Sequence, residues 1–294
     1  LVPLNCATIV LHLTKVKKMN DITTVDGSEL EQFSDILSPP SSGNSNDGLV
    51  RVTKFDHQHS PDDDDGNPMP RGEFRIHMPE GTVYAKTPLF RPLMAHIQYY
   101  LWEEDNLTKS LVCKNLNEEA RDTAGGIACG MPEWEVRAED KDLRQKYKDC
   151  QRRVVRGLVT ADGHTLDGTS VKVENHPVIY FGKGRTNYGG FFNEYIKALP
   201  KGARLHDYQS EMSTERMKVG ETIFFKIHWK PILSNKLTLD RDAFETMKVF
   251  AETIRIENKD IDKNHFAKMK EGNIDTKAIK ALGESLDDDF EDVA

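Results

Sequence analysis

Apolar and polar side chains alternate most strictly between Thr222 and Lys230. Ile223, Phe225, Ile227 and Trp229 share one phase; Phe224, Lys226, His228 and Lys230 share the other. A two-residue period belongs to a strand with one buried face, which assigns Trp229 to the core and the lysine phase to the surface. Residues 93–102 repeat the period, with Ala95, Ile97, Tyr99 and Leu101 opposite His96, Gln98, Tyr100 and Trp102. Pro92 before them and the aromatic content favour a strand over a short helix. Further strands are expected at Leu49 to Val52, Glu73 to His77, Gly81 to Ala85, Arg152 to Thr160, Val171 to Val173 and Val178 to Phe181, punctuated by Gly, Pro and Asp-Gly.

Helical spacing is rarer. Leu143, Tyr147 and Cys150 recur in a stretch from Glu139 to Cys150 that lacks Gly and Pro, which predicts a charged surface helix. Residues 190–199 predict a short helix with Phe192, Tyr195, Ile196 and Leu199 on its core face. Asp240 is a suitable N-cap for a helix to about Arg255, with Phe244, Met247, Phe250 and Ile254 on one stripe. Together these elements predict a mainly β, α+β domain over residues 49–258. The expected architecture is an OB-like barrel, or a related antiparallel sheet with inserted helices, between flexible termini.

Composition sets the limits of that domain. Residues 1–48 end in a Ser, Asn, Gly and Pro-rich stretch around Ser38-Pro39-Pro40-Ser41-Ser42-Gly43 and read as a disordered segment. Its apolar run Ala7 to Leu13 precedes Lys15, Lys17 and Lys18, the reverse of a secretory signal. The sequence opens on Leu1 and Met19 follows soon after, so residues 1–18 are expected to be an over-extended reading, with Met19 as the start. Residues 259–294 form a flexible acidic tail. No run reaches the roughly eighteen apolar residues of a membrane span, so no membrane partner and a cytoplasmic location are expected, host cytoplasm if the gene is a phage's.

Charge is unevenly distributed. The chain carries a net charge of -8, yet residues 141–236 hold 18 Lys/Arg against 10 Asp/Glu. The end, Glu284 to Ala294, has six acids and no base, with Leu286, Phe290 and Val293 interleaved. An acidic peptide able to reach a basic body suits a nucleic-acid-binding protein that limits its own binding; the alternative is a solvated terminus. In the basic segment, Gly182-Lys183-Gly184-Arg185-Thr186-Asn187-Tyr188 lacks both the Walker register and Gly-x-Gly-x-x-Gly, leaving a supple basic loop that can meet phosphates.

Catalytic and metal signatures are weak. His164, His176, His206 and His228 are scattered, and no nucleophile elbow or paired-His motif occurs. The acids Asp62 to Asp65 lack the alternating ligands, central Gly and closing Glu of a calcium loop. Cys113, Cys129 and Cys150 could bind zinc with His164, or with His57 and His59, but without a paired motif they read as inert thiols. No cofactor is expected, and the protein is not read as an enzyme.

The tail residues Leu286, Asp287, Asp288, Asp289, Phe290, Glu291 and Asp292 resemble the acidic, aromatic-containing C-termini of single-stranded DNA-binding proteins from bacteria and their tailed phages. The stretch from Cys129 to Val159 also looks similar to uncharacterised tailed-phage proteins. The first resemblance implies an OB-fold body on single-stranded DNA and a tail that docks replication or recombination proteins. Many such tails place the aromatic residue at or next to the end, whereas this chain closes on Val293-Ala294.

The expected function is therefore non-catalytic coating of single-stranded DNA in phage replication or recombination, with homo-oligomers compatible. Arg152, Arg153, Arg156, Lys183, Arg185, Lys226 and Lys230 are the candidates for phosphate contact, and Tyr188, Phe224, Tyr100 and Trp102 for base stacking. Two-residue alternation sets Arg153 opposite Arg152 and Arg156. A phage structural or adaptor protein with a basic protein-binding face is the second reading, and a metal-dependent nuclease the third.

Overall fold

The computed structural model describes residues 53–114, 120–130, 139–142, 145, 150–183, 187 and 189–271. Nine strands form one mixed sheet: β1 (Thr53–His57), β2 (Phe74–Met78), β3 (Gly81–Ala85), β4 (Leu89–Glu103), β5 (Asn106–Lys109), β6 (Gln151–His164), β7 (Ser170–Lys183), β8 (Ser210–Val219) and β9 (Thr222–Pro231). The long helix α1 (Arg241–Glu271) follows. Their order is β3-β2-β1-β7-β6-β4-β8-β9, with β5 on β4. A further pairing of Tyr84 on β3 with His164 on β6 closes the first five strands into a ring. All pairings are antiparallel except β1 with β7.

The ring is filled by Phe55, Phe74, Phe90, Val155, Val159, Val178 and Tyr180, and the β8–β9 hairpin adds Met212, Ile227 and Trp229. Trp229 is 3% exposed, as the alternation requires. Gly157 on β6 allows the close approach of β4: a Cβ there would lie 2.3 Å from the Arg91 carbonyl oxygen.

Three sequence expectations change. The strands expected at Val171 to Val173 and Val178 to Phe181 are one strand, β7, because its register slips past β6 at a bulge. Asn175 there takes φ 45° and donates its N–H to Thr160 Oγ1 at 3.0 Å. The segment after Gly190 begins as a π-helix, Phe191–Tyr195, and this wider winding buries Phe191 and Tyr195 while leaving Phe192 44% exposed. Their two rings stack at 5.3 Å. The first strand among the described residues is Thr53–His57; the strand expected at residues 49–52 lies outside the described residues, as does most of the helix expected from Glu139 to Cys150.

The third change concerns α1. Asp240 caps it as expected, accepting the Ala243 N–H at 2.8 Å. Phe244, Met247, Phe250, Ala251 and Ile254 pack on Leu93, Met94, Val112 and Leu158. The helix then passes the expected end at Arg255, and the boundary drawn at 258 falls inside it. Polar contacts to residues 110–129 carry the extension: Asn258 Oδ1 accepts the Val112 N–H at 2.8 Å, Asp262 takes both a 2.6 Å and a 3.1 Å bond from Arg121, and His265 reaches the Asp122 carbonyl at 3.1 Å. Ile261 is buried against Ile97, Tyr99 and Leu111.

Candidate functional site

Strand register decides which of the expected contacts share a face. Arg152 stands opposite Gln98 on β4 and opposite Lys183 on β7. Side chains two residues apart point the same way, so Gln98, Tyr100 and Trp102 of β4, Arg152 of β6, and Phe181 and Lys183 of β7 lie on one face. It is the outer face, the one that carries α1, since Met94 and Leu158 of the same phase pack beneath the helix. Tyr100 and Phe181 meet edge to face at 6.1 Å. Trp102 is 62% exposed, Lys183 is exposed, and Arg152 is half-buried, with Nη1 donating to the Gln151 carbonyl at 3.0 Å. Two rings and two cations, Tyr100, Phe181, Arg152 and Lys183, thus come together across three strands, while Trp102 lies further along β4, opposite Leu107 of β5.

Beneath this face lies a polar cluster. Arg156, in phase with Arg152, is 1% exposed, and its Nη2 sits 3.7 Å from Glu257 of α1. Glu257 also accepts from Gln98 Nε2 at 3.0 Å and Lys109 Nζ at 3.2 Å. Burial lowers the Arg156 pKa while Glu257 opposes that shift. Burial, with Glu257 nearby, pushes the Tyr100 hydroxyl well above its ordinary range, so it stays a proton donor. In this position Arg156 is held beneath α1 by its ion pair with Glu257. Arg153 points to the opposite face, with a buried Nε.

The lysine phase of β9 lies elsewhere and is matched by acids. Lys226 Nζ is 3.3 Å from Glu194, Lys230 Nζ is 3.4 Å from Glu211, and His228 sits between Glu194 at 3.4 Å and Glu215 at 2.9 Å. Phe224 is half-buried. The outer edge of β9 is closed by side chains: Asn187 Oδ1 accepts the Ile227 N–H at 2.9 Å, and Glu194 Oε2 accepts that of Trp229 at 2.9 Å. These bonds satisfy donors that would otherwise invite another strand. Arg185, Tyr188 and the tail residues 284–294 lie outside the described residues.

Of the candidates for zinc, Cys113 and Cys129 share one buried cluster, and His164 is set apart from Cys150. Cys150 immediately precedes β6 and His164 ends it, 14 residues on and roughly 45 Å along the strand. His164 lines a cleft of about 510 Å³ with Glu73, Tyr84, Lys86, Asp162 and Lys172. Cys113, Cys129 and Cys150 are buried and outside any disulfide among the described residues, and burial, followed by the charge of Asp122, pushes the Cys129 pKa up to about 12. Among the described residues no group of three or more His, Cys, Asp or Glu side chains is arranged to hold a metal. The Asp63 carboxylate in the acidic loop accepts the backbone N–H groups of Asp65 and Asn67 at 3.0 and 2.7 Å, which makes it a turn former.

Sequence reasoning missed Phe181, Gln98 and Glu257. Phe181 had a usable signal, being in phase with Lys183 two positions on. Glu257 had none, because nothing in the pattern tells which face of α1 meets β4 that far from the apolar stripe. Among the described residues no helix is long and apolar enough to cross a membrane. No family model, curated protein or solved structure matches this chain.

Proposed function

We propose that the protein binds single-stranded DNA without catalysis, across the outer face of β4, β6 and β7, in replication or recombination. The observation that carries this reading is the placement of Tyr100 and Phe181 near Arg152 and Lys183 on one surface, with Trp102 further along the same face of β4. Trp102 is exposed and Tyr100 and Phe181 are half-buried at the surface; an accessible ring offers a base a stacking partner worth about 1–3 kcal/mol with little demand for sequence, and nearby cations take the phosphates. The ring of five strands fits an OB-like body, which is itself a five-stranded barrel. Arg156 leaves the set of phosphate contacts because it is buried against Glu257, and Arg153 because it lies on the other face of β6 from Arg152 and Lys183. Lys226 and Lys230 contribute little, since each is matched by a glutamate. The acidic tail serves to dock partner proteins of the same process.

Fluorescence anisotropy with labelled single strands and duplexes tests the reading. Single strands should bind in preference to duplex and remain uncut in magnesium, and Tyr100→Ala or Trp102→Ala should each weaken the complex about fivefold or more. No binding would favour the protein-adaptor reading, and cleavage in magnesium the nuclease.

A further inference from the structure

Tyr100 is held by a chain of hydrogen bonds that begins on α1. Gln98, 1% exposed, donates through Nε2 to the Ser110 carbonyl at 2.9 Å and to Glu257 Oε1 at 3.0 Å. Both partners are acceptors, so the amide orientation is fixed with its nitrogen toward them. Its carbonyl oxygen is thereby left facing the Tyr100 hydroxyl, which donates to it at 3.1 Å. The Glu257 carboxylate is itself held by Lys109 and Arg156. A ring tethered at its hydroxyl and braced edge-on by Phe181 has little rotational freedom left to lose when a base stacks on it.

We propose that Gln98 and Glu257 are positioning residues for the Tyr100 stacking platform, so that the docking of α1 on the sheet sets the affinity for single strands. This inference rests on the binding face described under the proposed function. Neither residue touches the ligand; each acts through the tyrosine hydroxyl. The link is specific: it should vanish when the hydroxyl is removed, whatever the rest of the fold does.

A double-mutant cycle in the full chain reads that link. The probe is a labelled oligothymidine, and affinity is measured by anisotropy. Gln98→Leu, Glu257→Ala and Tyr100→Phe should each weaken binding about three- to tenfold. Added to Tyr100→Phe, neither of the other substitutions should weaken it further. Near-ultraviolet circular dichroism checks that each variant is folded. If Gln98→Leu or Glu257→Ala does not fold, Tyr100→Phe decides alone, because it keeps the ring and every buried partner. Unchanged affinity in Tyr100→Phe, or additive losses in the cycle, would overturn the positioning role while leaving the face intact. Tyr100→Ala separates the two claims: if it has no effect on binding, the stacking face itself is refuted.

Discussion

Replacing Trp229 by alanine probes the junction on which the fold depends, because this side chain joins the β8–β9 hairpin to the five-stranded ring. It is 3% exposed, and its indole meets Phe191 at 4.9 Å, Tyr180 at 5.3 Å and Phe90 at 5.5 Å, all edge to face. A buried aromatic withdraws roughly 150–250 Å² from water, worth about 4–6 kcal/mol at ~25 cal/mol per Å². Apolar surface already covered in the unfolded chain lowers that figure and the residual cavity adds to it, for an expected loss of about 3–5 kcal/mol. Trp229→Phe should cost much less, on the order of 1–2 kcal/mol, because the indole Nε1 has no hydrogen-bond partner to lose. Urea unfolding followed by far-ultraviolet circular dichroism gives both numbers. A loss below about 1 kcal/mol for Trp229→Ala would refute the buried phase of β9, and the surface assignment of its lysines would fall with it.

Three further outcomes are expected. Burial pulls the His57 and His206 pKa values down to about 4, from an ordinary 6.5, so the unfolded chain binds protons that the folded chain refuses in that window. Stability should therefore be full above pH 6.5 and fall as the pH drops toward 4; a urea midpoint that is equal at pH 7 and pH 5 would contradict this. Lys226→Ala with Lys230→Ala should change single-strand affinity less than about twofold, since both charges are compensated by glutamates; a tenfold loss by anisotropy would return β9 to the binding face. Removing residues 284–294 takes away six acids and should strengthen strand binding at low salt, with the difference shrinking as salt screens it; identical affinities at two salt levels would mean that the tail does not compete.

The sequence is most informative where one period runs unbroken. Alternation placed Trp229 in the core, separated Tyr99 from Tyr100, and set Arg153 opposite Arg152, because a strand has only two faces and one of them must be apolar. It was blind to partners. Arg152 and Arg156 share a phase, and only the path of α1 decides that one lies at the surface and the other beneath a helix, against Glu257. The lysines of β9 read as a basic row, yet Glu194, Glu211 and Glu215 come from other segments and cancel it in space. Helical phase failed at Phe192 because a π-turn advances the chain differently from the 3.6-residue period assumed. The far half of α1 escaped notice because polar bonds to residues 110–129 hold it in place of an apolar stripe.

The central claim is that Arg152 and Lys183 meet phosphates on the face that presents Tyr100 and Trp102, and a salt titration tests it most directly. Anisotropy of a labelled single strand is followed across a salt series for the native chain and for Arg152→Ala with Lys183→Ala. Each phosphate contact adds about 0.7 to the slope of log affinity against log salt on single strands. The native chain should show a steep negative slope, and the double variant should be shallower by about 1.4. A flat native response, or a slope unchanged by the double substitution, would contradict the account.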